Sequence, residues 1–472
     1  MTDVKRDVVL DAEAFAARVA SESERSMPLG AYADSRAVYY LFLGADSGPY
    51  ALSRTRDDDA RALPAVSVTC PVFAWDEREM ADERNVRFER LPDARPFRAA
   101  CDGTMPDAVV AEGAGLMHFV VGPVHAGIIE PGRFTISSGG ETVVHLDAQL
   151  AYQHRGVELQ LEGLPAPSVS RNVARICGGC SASRSFAYAR ALEELAGVAV
   201  TPEVELARLV LAELERIYNH LADLAASAAG AGWGPGFARG MALKEEAMRL
   251  CQLAGGHRLL FDAIIPGGVN SNVLTDRGRC REDLVRLEAA VEGYLRSLFG
   301  NASVTARWHR AGVVTHETAR ALGAVGPAHR ASRGNVDVRT FAPYGAYRRL
   351  PVRVARATSG DVFARCRVKR DELRESLRLI REALAELGDA TLPNAQPMQV
   401  TAGIALTAVE GPRGAETVAV HVAADGRIER LHVVSASYRN WPLVARAMDG
   451  NIVPDFPLVN KSFNLCYACA DR

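Results

Sequence analysis

The chain has 472 residues, of which 48% are hydrophobic and 24% charged, and its formal net charge is −2. These values describe a globular protein of two or three domains and give no reason to expect a nucleic-acid partner. The nine cysteines are an odd number in a sequence without a recognisable signal peptide, which favours a reducing cytoplasm over a disulfide framework. The most apolar stretch, residues 109–129, is interrupted by a glutamate, two histidines and a proline. We therefore expect no membrane span, and any membrane association should come through partners.

The N-terminal segment 1–30 is rich in charged and small residues, and we expect it to form a mobile tail. Farther along the chain, apolar residues recur at steps of three and four in two segments, which predicts amphipathic helices over 206–224 and 373–387. Between these segments, the glycine-rich stretch 230–240 is expected to be a loop.

Turn signals divide the rest of the chain. Pro266-Gly-Gly268 predicts a tight turn. Near the C-terminus, valines alternate from Val418 to Val422 before Asp425-Gly426, which predicts a hairpin with a second strand from Ile428 to Val434. Arg413 is thus expected just before a strand.

Two Cys-x-x-Cys pairs lie far apart in the chain, Cys177-Gly-Gly-Cys180 and Cys466-Tyr-Ala-Cys469. Such a segment places two sulfurs close enough to bind one metal ion or to bridge two, and thiolates select soft or borderline metals. A zinc site, a redox dithiol and four buried cysteines without a shared role are the alternatives. We interpret the pairs as four ligands of one metal centre, which only the complete fold can assemble.

The surroundings of both pairs resemble a known family. Arg175-Ile-Cys-Gly-Gly-Cys180 resembles the Arg-x-Cys-Gly-x-Cys motif of nickel-iron hydrogenase large subunits, and Cys466-x-x-Cys469-x-x-Arg472 resembles their C-terminal motif. Other segments occur in the order expected for that family: Gly122-Pro-Val-His125 with Glu130-Pro131, His154-Arg-Gly-Val-Glu158, Glu215-Arg-Ile-Tyr-Asn-His220 and Glu410-Gly-Pro-Arg-Gly414. Asn440-Trp-Pro442 and Asp455-Phe-Pro457 are most similar to the energy-converting, group 4 type, which includes formate hydrogenlyase and is related to the large quinone-site subunit of respiratory complex I.

The N-terminal part is similar to the small α/β subunit that precedes the quinone-site subunit in complex I, on the segments Ala65-Val-Ser-Val-Thr-Cys-Pro, Glu77-Arg-Glu79 and Leu91-Pro-Asp-Ala-Arg95. The resemblance implies an α+β protein, with a small N-terminal α/β domain followed by a mainly helical hydrogenase core and a small β element near the C-terminus. The expected division is a tail over 1–30, a domain like the small complex I subunit over 31–105, and a hydrogenase large-subunit domain, like the quinone-site subunit, over 106–472.

The resemblance also implies a ligand set. Cys177 and Cys466 would be terminal nickel ligands, while Cys180 and Cys469 would bridge nickel and iron, and the iron would carry carbon monoxide and cyanide. Sulfur ligands such as Cys466 supply electron density and a protonatable atom. Arg413 matches the family's Pro-Arg-Gly motif, which implies a place above the metals where a permanently charged group stabilises anionic ligands. A surface cation before a turn is the plainer explanation.

Three further residues are implicated by the same resemblance. Glu130 matches a proton-relaying glutamate of energy-converting hydrogenases, and we expect burial to raise its pKa, although an ordinary loop carboxylate is the alternative. His125 corresponds to a quinone-site histidine of complex I, and a hydrogen-bonded loop histidine explains it equally well. Asn464-Leu465 stands where the family has Asp-Pro, so Asn464 cannot carry the charge of that aspartate.

The leading interpretation is the catalytic large subunit of a nickel-iron hydrogenase, an oxidoreductase that oxidises H2 and reduces protons reversibly. The other five cysteines are scattered, so we expect no iron–sulfur cluster in this chain and a small-subunit partner with a proximal 4Fe-4S cluster. Resemblance implies membrane antiporter-like subunits, formate dehydrogenase or another electron-transfer subunit, and a cytoplasmic location peripheral to the inner face of the cell membrane.

Two other functions stay open. The runner-up is a metal-free coupling or quinone-site subunit of a complex I-related assembly. It is favoured by Asn460-Lys-Ser-Phe-Asn464, which is reminiscent of related subunits that have lost the metal cysteines. A zinc-binding structural subunit is the third.

Overall fold

The protein combines helices with small sheets and is α+β, as predicted. The computed structural model describes residues 4–6, 11–45, 47–56, 62–99, 104–125 and 129–472. No helix within these ranges is both long enough and apolar enough to cross a bilayer.

The N-terminal unit consists of a four-stranded sheet in the order β1-β4-β3-β2, two helices and a short parallel pair, β5 with β6. Its elements are β1 (Val4–Arg6), α1 (Ala12–Arg25), β2 (Met27–Ala33), β3 (Ala37–Gly44), β4 (Gly48–Thr55), β5 (Leu63–Pro64), α2 (Ala74–Arg84) and β6 (Phe88–Glu89). Strand β1 runs parallel to β4, and the other neighbours in the sheet are antiparallel.

Strand β3 is buried on both faces. Its residues Val38, Tyr40 and Phe42 belong to the apolar cluster that contains α1, whereas Tyr39, Leu41 and Leu43 belong to the main core of the molecule. Because side chains alternate along a strand, a continuous apolar run is what a strand covered on two sides requires. The N-terminal unit therefore shares its core with the rest of the protein.

Part of the predicted tail is a packed helix instead. Asp11 caps α1 by accepting a hydrogen bond from the Ala14 amide at 2.7 Å. Phe15 and Val19, four residues apart on one face, are 3% and 0% exposed and pack against the N-terminal sheet. Residues 11–30 are thus structured because two apolar side chains suffice to dock a helix that is otherwise polar. Residues 1–3 and 7–10 of the predicted tail lie outside the described residues.

A second sheet and the helical core follow in the chain. The sheet is β7 (Leu116–Val121), β8 (Arg133–Gly139) and β9 (Thr142–Gln149). The core elements are α3 (Val157–Leu161), α4 (Ser170–Ala174), α5 (Ser181–Ala196), α6 (Pro202–Gly230), α7 (Gly234–Gly255), β10 (Ile264–Ile265), β11 (Gly268–Val269), α8 (Arg277–Gly300), α9 (Ala302–Trp308), α10 (His316–Ala321), α11 (Gly326–Ala331), α12 (Val338–Phe341) and α13 (Val362–Leu387). The two predicted amphipathic helices are confirmed as parts of α6 and α13.

The predicted glycine-rich loop is mostly helical, which corrects the sequence-based expectation. Helix α6 ends at Gly230 and α7 begins at Gly234, so the connection is only residues 231–233. A Cβ atom at Gly240 would lie 2.7 Å from the Cβ of Ala225 and 2.6 Å from the Tyr294 hydroxyl. Gly240 therefore allows α7 to approach α6 and α8 closely, and it does not mark a loop.

The C-terminal elements are β12 (Gly403–Gly411), β13 (Gly414–Val422), β14 (Ile428–Val434), α14 (Ala436–Met448) and α15 (Phe456–Phe463). The three strands form an antiparallel sheet, which confirms the predicted hairpin. The turn at Pro266-Gly267 is also confirmed, because it joins β10 to β11. Arg413 lies in the tight turn between β12 and β13, as predicted.

Candidate metal centre

The four cysteines of the two pairs come together. Their Sγ atoms all lie within 4.8 Å of one another. Cys180 is central, with its Sγ 3.7 Å from that of Cys177 and 3.9 Å from that of Cys469. Three of the thiols are buried and Cys466 is half-buried. The arrangement can hold one soft metal ion or bridge two.

Local backbone structure explains how each pair presents its sulfurs. Cys177 precedes a single 3-10 turn, Gly178–Cys180, which leads directly into α5. The second pair lies in a turn after α15, where the Cys466 amide donates to the Ser437 hydroxyl at 3.0 Å. The first pair therefore lies just before a helix and the second pair after one, so neither is held by regular secondary structure alone.

The thiols are not electrostatically equivalent. Hydrogen bonds from Cys177 and Cys180 lower the pKa of Cys466 and hold that of Cys469 well below its usual range. Hydrogen bonds to the other three thiols, together with burial, raise the pKa of Cys180. The fold thus already favours thiolates at the second pair, and metal binding would displace the remaining protons.

Arg155, in the stretch His154-Arg-Gly-Val-Glu158, ties the two pairs together. Its guanidinium donates to the carbonyl of Ile176, just before Cys177, at 2.8 Å, and to the carbonyl of Ala468, just before Cys469, at 2.7 Å. The sequence motif pointed to this stretch but not to its role, because the contact with Ala468 joins positions that are 313 apart in the chain.

Arg413, the candidate cation of the Pro-Arg-Gly motif, lies close to Cys466. Its Nη1 donates to the Asn219 side chain at 2.9 Å and its Nε to the carbonyl of Asn464 at 2.5 Å. A Cβ atom at Gly179 would be 3.4 Å from Arg413 Nη1 and 3.5 Å from Cys466 Sγ. Glycine at 179 therefore lets the guanidinium and the sulfur approach the same point.

Asp223, on α6, supplies a carboxylate next to Asn464. The Asn464 amide donates to Asp223 Oδ1 at 2.5 Å, and Lys369 Nζ lies 2.6 Å from Oδ2. Burial alone would lower the pKa of Arg413. Cys466 and Asp223, whose Oδ1 lies 3.6 Å from Arg413 Nη2, outweigh burial and raise that pKa well above its usual range. Asp223 thus supplies the negative charge that residue 464 lacks. It lies three residues after His220, the last residue of the Glu215-Arg-Ile-Tyr-Asn-His220 motif.

A second guanidinium was missed by sequence reasoning. Arg184, four residues after Cys180 on α5, donates to Cys469 Sγ at 3.4 Å and to Glu416 Oε2 at 2.9 Å. All of these groups are buried, and burial raises the pKa of Glu416 to about 7. The position of Arg184 one helical turn after a cysteine was the only sequence signal.

Glu130 is exposed, so the expected burial of its carboxylate is absent. Its charge acts on Asp471, a 1% exposed residue whose pKa is raised to about 6, chiefly by burial and also by Glu130 and Cys469. Glu130 is therefore an exposed charge that acts on a buried carboxylate two residues after Cys469.

His125 lies in the same loop as Glu130. Its Nε2 is hydrogen-bonded to the carbonyl of Gly132 at 2.8 Å, and its ring centroid is 6.0 Å from that of Tyr467. The side chain is half-buried. The hydrogen bond that the plainer explanation requires is thus present, and the ring also lies near Tyr467 of the second cysteine pair.

Comparison with known proteins gives a consistent result. The family model described as "Respiratory-chain NADH dehydrogenase, 49 Kd subunit" matches residues 232–397 and 393–472. Hydrogenase-4 component G of Escherichia coli K12 is 28% identical, over 92% of this chain and 81% of the relative. Formate hydrogenlyase subunit 5 of the same strain is 27% identical, over 92% and 82%. The carbon monoxide-induced hydrogenase of Rhodospirillum rubrum is 30% identical, over 75% of this chain and 98% of the relative.

Proposed function

Because the chain belongs to the family of group 4 nickel-iron hydrogenase large subunits and the related large subunit of the respiratory-chain NADH dehydrogenase, we propose that it is the catalytic large subunit of a nickel-iron hydrogenase. Members of the family are oxidoreductase subunits. The observation that carries the proposal is the set of four Sγ atoms within 4.8 Å, built from both ends of the hydrogenase-like region.

The donor set fits a soft dinuclear centre. Four sulfurs without a histidine or carboxylate ligand suit nickel and iron, and bound there the centre would supply heterolytic cleavage of H2. Cys177 and Cys466 would be its terminal ligands, and Cys180 and Cys469 would be shared by the two metals. The central position of Cys180, whose Sγ is 3.7 Å from that of Cys177 and 3.9 Å from that of Cys469, supports its shared role.

The surrounding side chains support the same function. Arg413 and Arg184 place permanent positive charge beside Cys466 and Cys469, which stabilises the thiolates and any anionic ligand. The Asp223 carboxylate and the Asn464 carbonyl hold the Arg413 guanidinium in place. Glu130, at the surface beyond Asp471, is the proposed group that exchanges protons with solvent.

Electrons would leave through a partner. Among the described residues, the four thiols of the two pairs are the only cluster of at least three potential metal ligands, and Cys70, Cys251, Cys280 and Cys366 are buried outside it. Cys101 lies outside the described residues. We therefore propose an iron–sulfur small subunit that holds a 4Fe-4S cluster, with attachment to the inner face of the membrane through antiporter-like subunits and a formate dehydrogenase or similar electron donor.

The second candidate is a coupling or quinone-site subunit of a complex I-related assembly, because the matching family model is that of a respiratory-chain NADH dehydrogenase subunit. Elemental analysis of the complex purified from its native host separates the candidates. Nickel in a stoichiometric amount, with iron in excess of nickel because the partner's 4Fe-4S cluster also contributes iron, together with H2-dependent dye reduction, would support the hydrogenase. Zinc without nickel would support a structural site, and absence of both nickel and zinc would support the coupling subunit, since the remaining iron would then belong to the partner's cluster.

A further inference from the structure

Helix α2 of the N-terminal unit carries an unusual buried acidic face. Three of its carboxylates, spaced three and four residues apart, each meet an arginine from the C-terminal part of the chain: Asp76 with Arg439 at 2.8 Å, Glu79 with Arg472 at 2.7 Å and Glu83 with Arg430 at 3.1 Å. The side chains of all six residues are at most 4% exposed. Buried carboxylates are retained only where they are paired, so these pairs dictate how α2 docks.

The middle pair reaches the metal centre. Arg472 donates through Nη2 to Glu79, through Nε to Glu158 at 2.7 Å, and through Nη1 to the backbone carbonyl of Cys469 at 3.3 Å. Its guanidinium also lies 4.6 Å from the ring centroid of Tyr438. The carboxylates of Glu79 and Glu158 and the Tyr438 ring thus fix the Arg472 guanidinium. That guanidinium in turn holds the backbone of Cys469, a proposed metal ligand.

We propose that Glu79 is a positioning residue of the metal centre, acting through Arg472 on the backbone of Cys469. The turn that contains Cys469 has no regular secondary structure, so side-chain contacts decide where its sulfur lies. Without the Glu79 carboxylate, Arg472 loses one of its two anionic partners, and its hydrogen bond to the Cys469 carbonyl weakens. The N-terminal unit is by this argument a structural part of the four-thiol site, although Glu79 and Arg472 are 393 positions apart in the sequence.

The test uses Co²⁺ as the probe, because thiolate coordination to Co²⁺ produces a charge-transfer absorption band that reports on the ligand sulfurs directly. Purified full-length chain is titrated with Co²⁺ under reducing conditions, as wild type, Glu79→Gln and Asp76→Asn. Asp76 is the matched control: it is on the same helix, equally buried and paired with an arginine, but that arginine, Arg439, is not the one that holds the Cys469 backbone. Residues that orient metal ligands typically contribute about 10- to 100-fold in affinity, so we expect a loss of that size for Glu79→Gln and less than about twofold for Asp76→Asn.

Two further variants keep the proposal falsifiable if Glu79→Gln folds poorly. Arg472→Lys keeps the positive charge but has one nitrogen in place of the three that reach Glu79, Glu158 and the Cys469 carbonyl, so it should also weaken Co²⁺ binding and the charge-transfer band. The double variant Glu79→Gln with Arg472→Gln should bind Co²⁺ no more weakly than Arg472→Gln alone, because both changes break one chain of contacts.

Equal losses in Glu79→Gln and Asp76→Asn would overturn the proposal, since the effect would then come through the fold. Wild-type affinity in Glu79→Gln or in Arg472→Lys would overturn it as well, as would additive losses in the double variant. The Co²⁺ titration needs only the four thiols. A chain that binds Co²⁺ as described but contains no nickel in its native complex would therefore remove the hydrogenase proposal and leave this one standing.

Discussion

Replacing Asn464 by aspartate should destabilise the protein, even though it restores the residue that related hydrogenases have at this position. Asn464 Nδ2 donates to Asp223 Oδ1 at 2.5 Å, so an aspartate would place two carboxylates in hydrogen-bond contact. The change removes a hydrogen bond to a charged group, and such bonds contribute about 1.5–3 kcal/mol. Lys369, 2.6 Å from Asp223, is already engaged, and Arg413 is 3.6 Å away. We therefore expect a loss of about 2–3 kcal/mol at neutral pH.

The pH dependence of that loss follows from the proton that the two carboxylates must share. In the folded variant, the new carboxyl has a pKa raised above its unfolded value of about 3.9. The folded state then binds more protons than the unfolded state, so the deficit is small at low pH and grows as pH rises through the folded pKa.

The assay is thermal unfolding of wild type and Asn464→Asp between pH 5 and pH 8. The difference in Tm should widen with pH. The control is the exchange variant Asn464→Asp with Asp223→Asn, which keeps one amide and one carboxylate in contact and should recover part of the loss. A Tm for Asn464→Asp equal to that of wild type across this range would refute the reasoning. In an active hydrogenase the same variant should change the pH profile of H2 oxidation without loss of nickel.

Three other predictions concern the proposed chemistry. Cys177→Ser or Cys466→Ser should abolish nickel retention and H2 oxidation, as each removes a soft ligand, whereas Cys251→Ser should retain both; unchanged nickel in either ligand variant would contradict the site. Glu130→Gln should reduce H2/D⁺ exchange by about 100-fold or more with unchanged metal content and Tm, because the side chain is exposed; full exchange would remove Glu130 from the proton path. Arg413→Lys keeps the charge but cannot form both contacts to Asn219 and Asn464, so dye reduction should fall about tenfold or more while nickel stays bound.

Short-range patterns in the sequence predict much of this protein. The spacing of each Cys-x-x-Cys pair requires two sulfurs on one side of a turn, and both pairs have that geometry. The helices over 206–224 and 373–387 were predictable because their apolar residues repeat with the helical period, which depends only on neighbours along the chain. The hairpin at Asp425-Gly426 was likewise predictable from its turn residues.

Only the tertiary structure decided which carboxylates lie near the thiols and which buried ion pairs support them. Asp223 meets Asn464 across 241 residues and Glu79 meets Arg472 across 393, and no periodicity in the sequence encodes such pairs. Gly240 also looks like a loop residue until the packing of α7 against α6 shows that a Cβ atom would not fit there. Helix α1 was not predicted because its sequence is mostly polar and only two buried side chains, Phe15 and Val19, dock it. In each case the deciding energy comes from burial, which is a property of contacts distant in the chain and not of local composition.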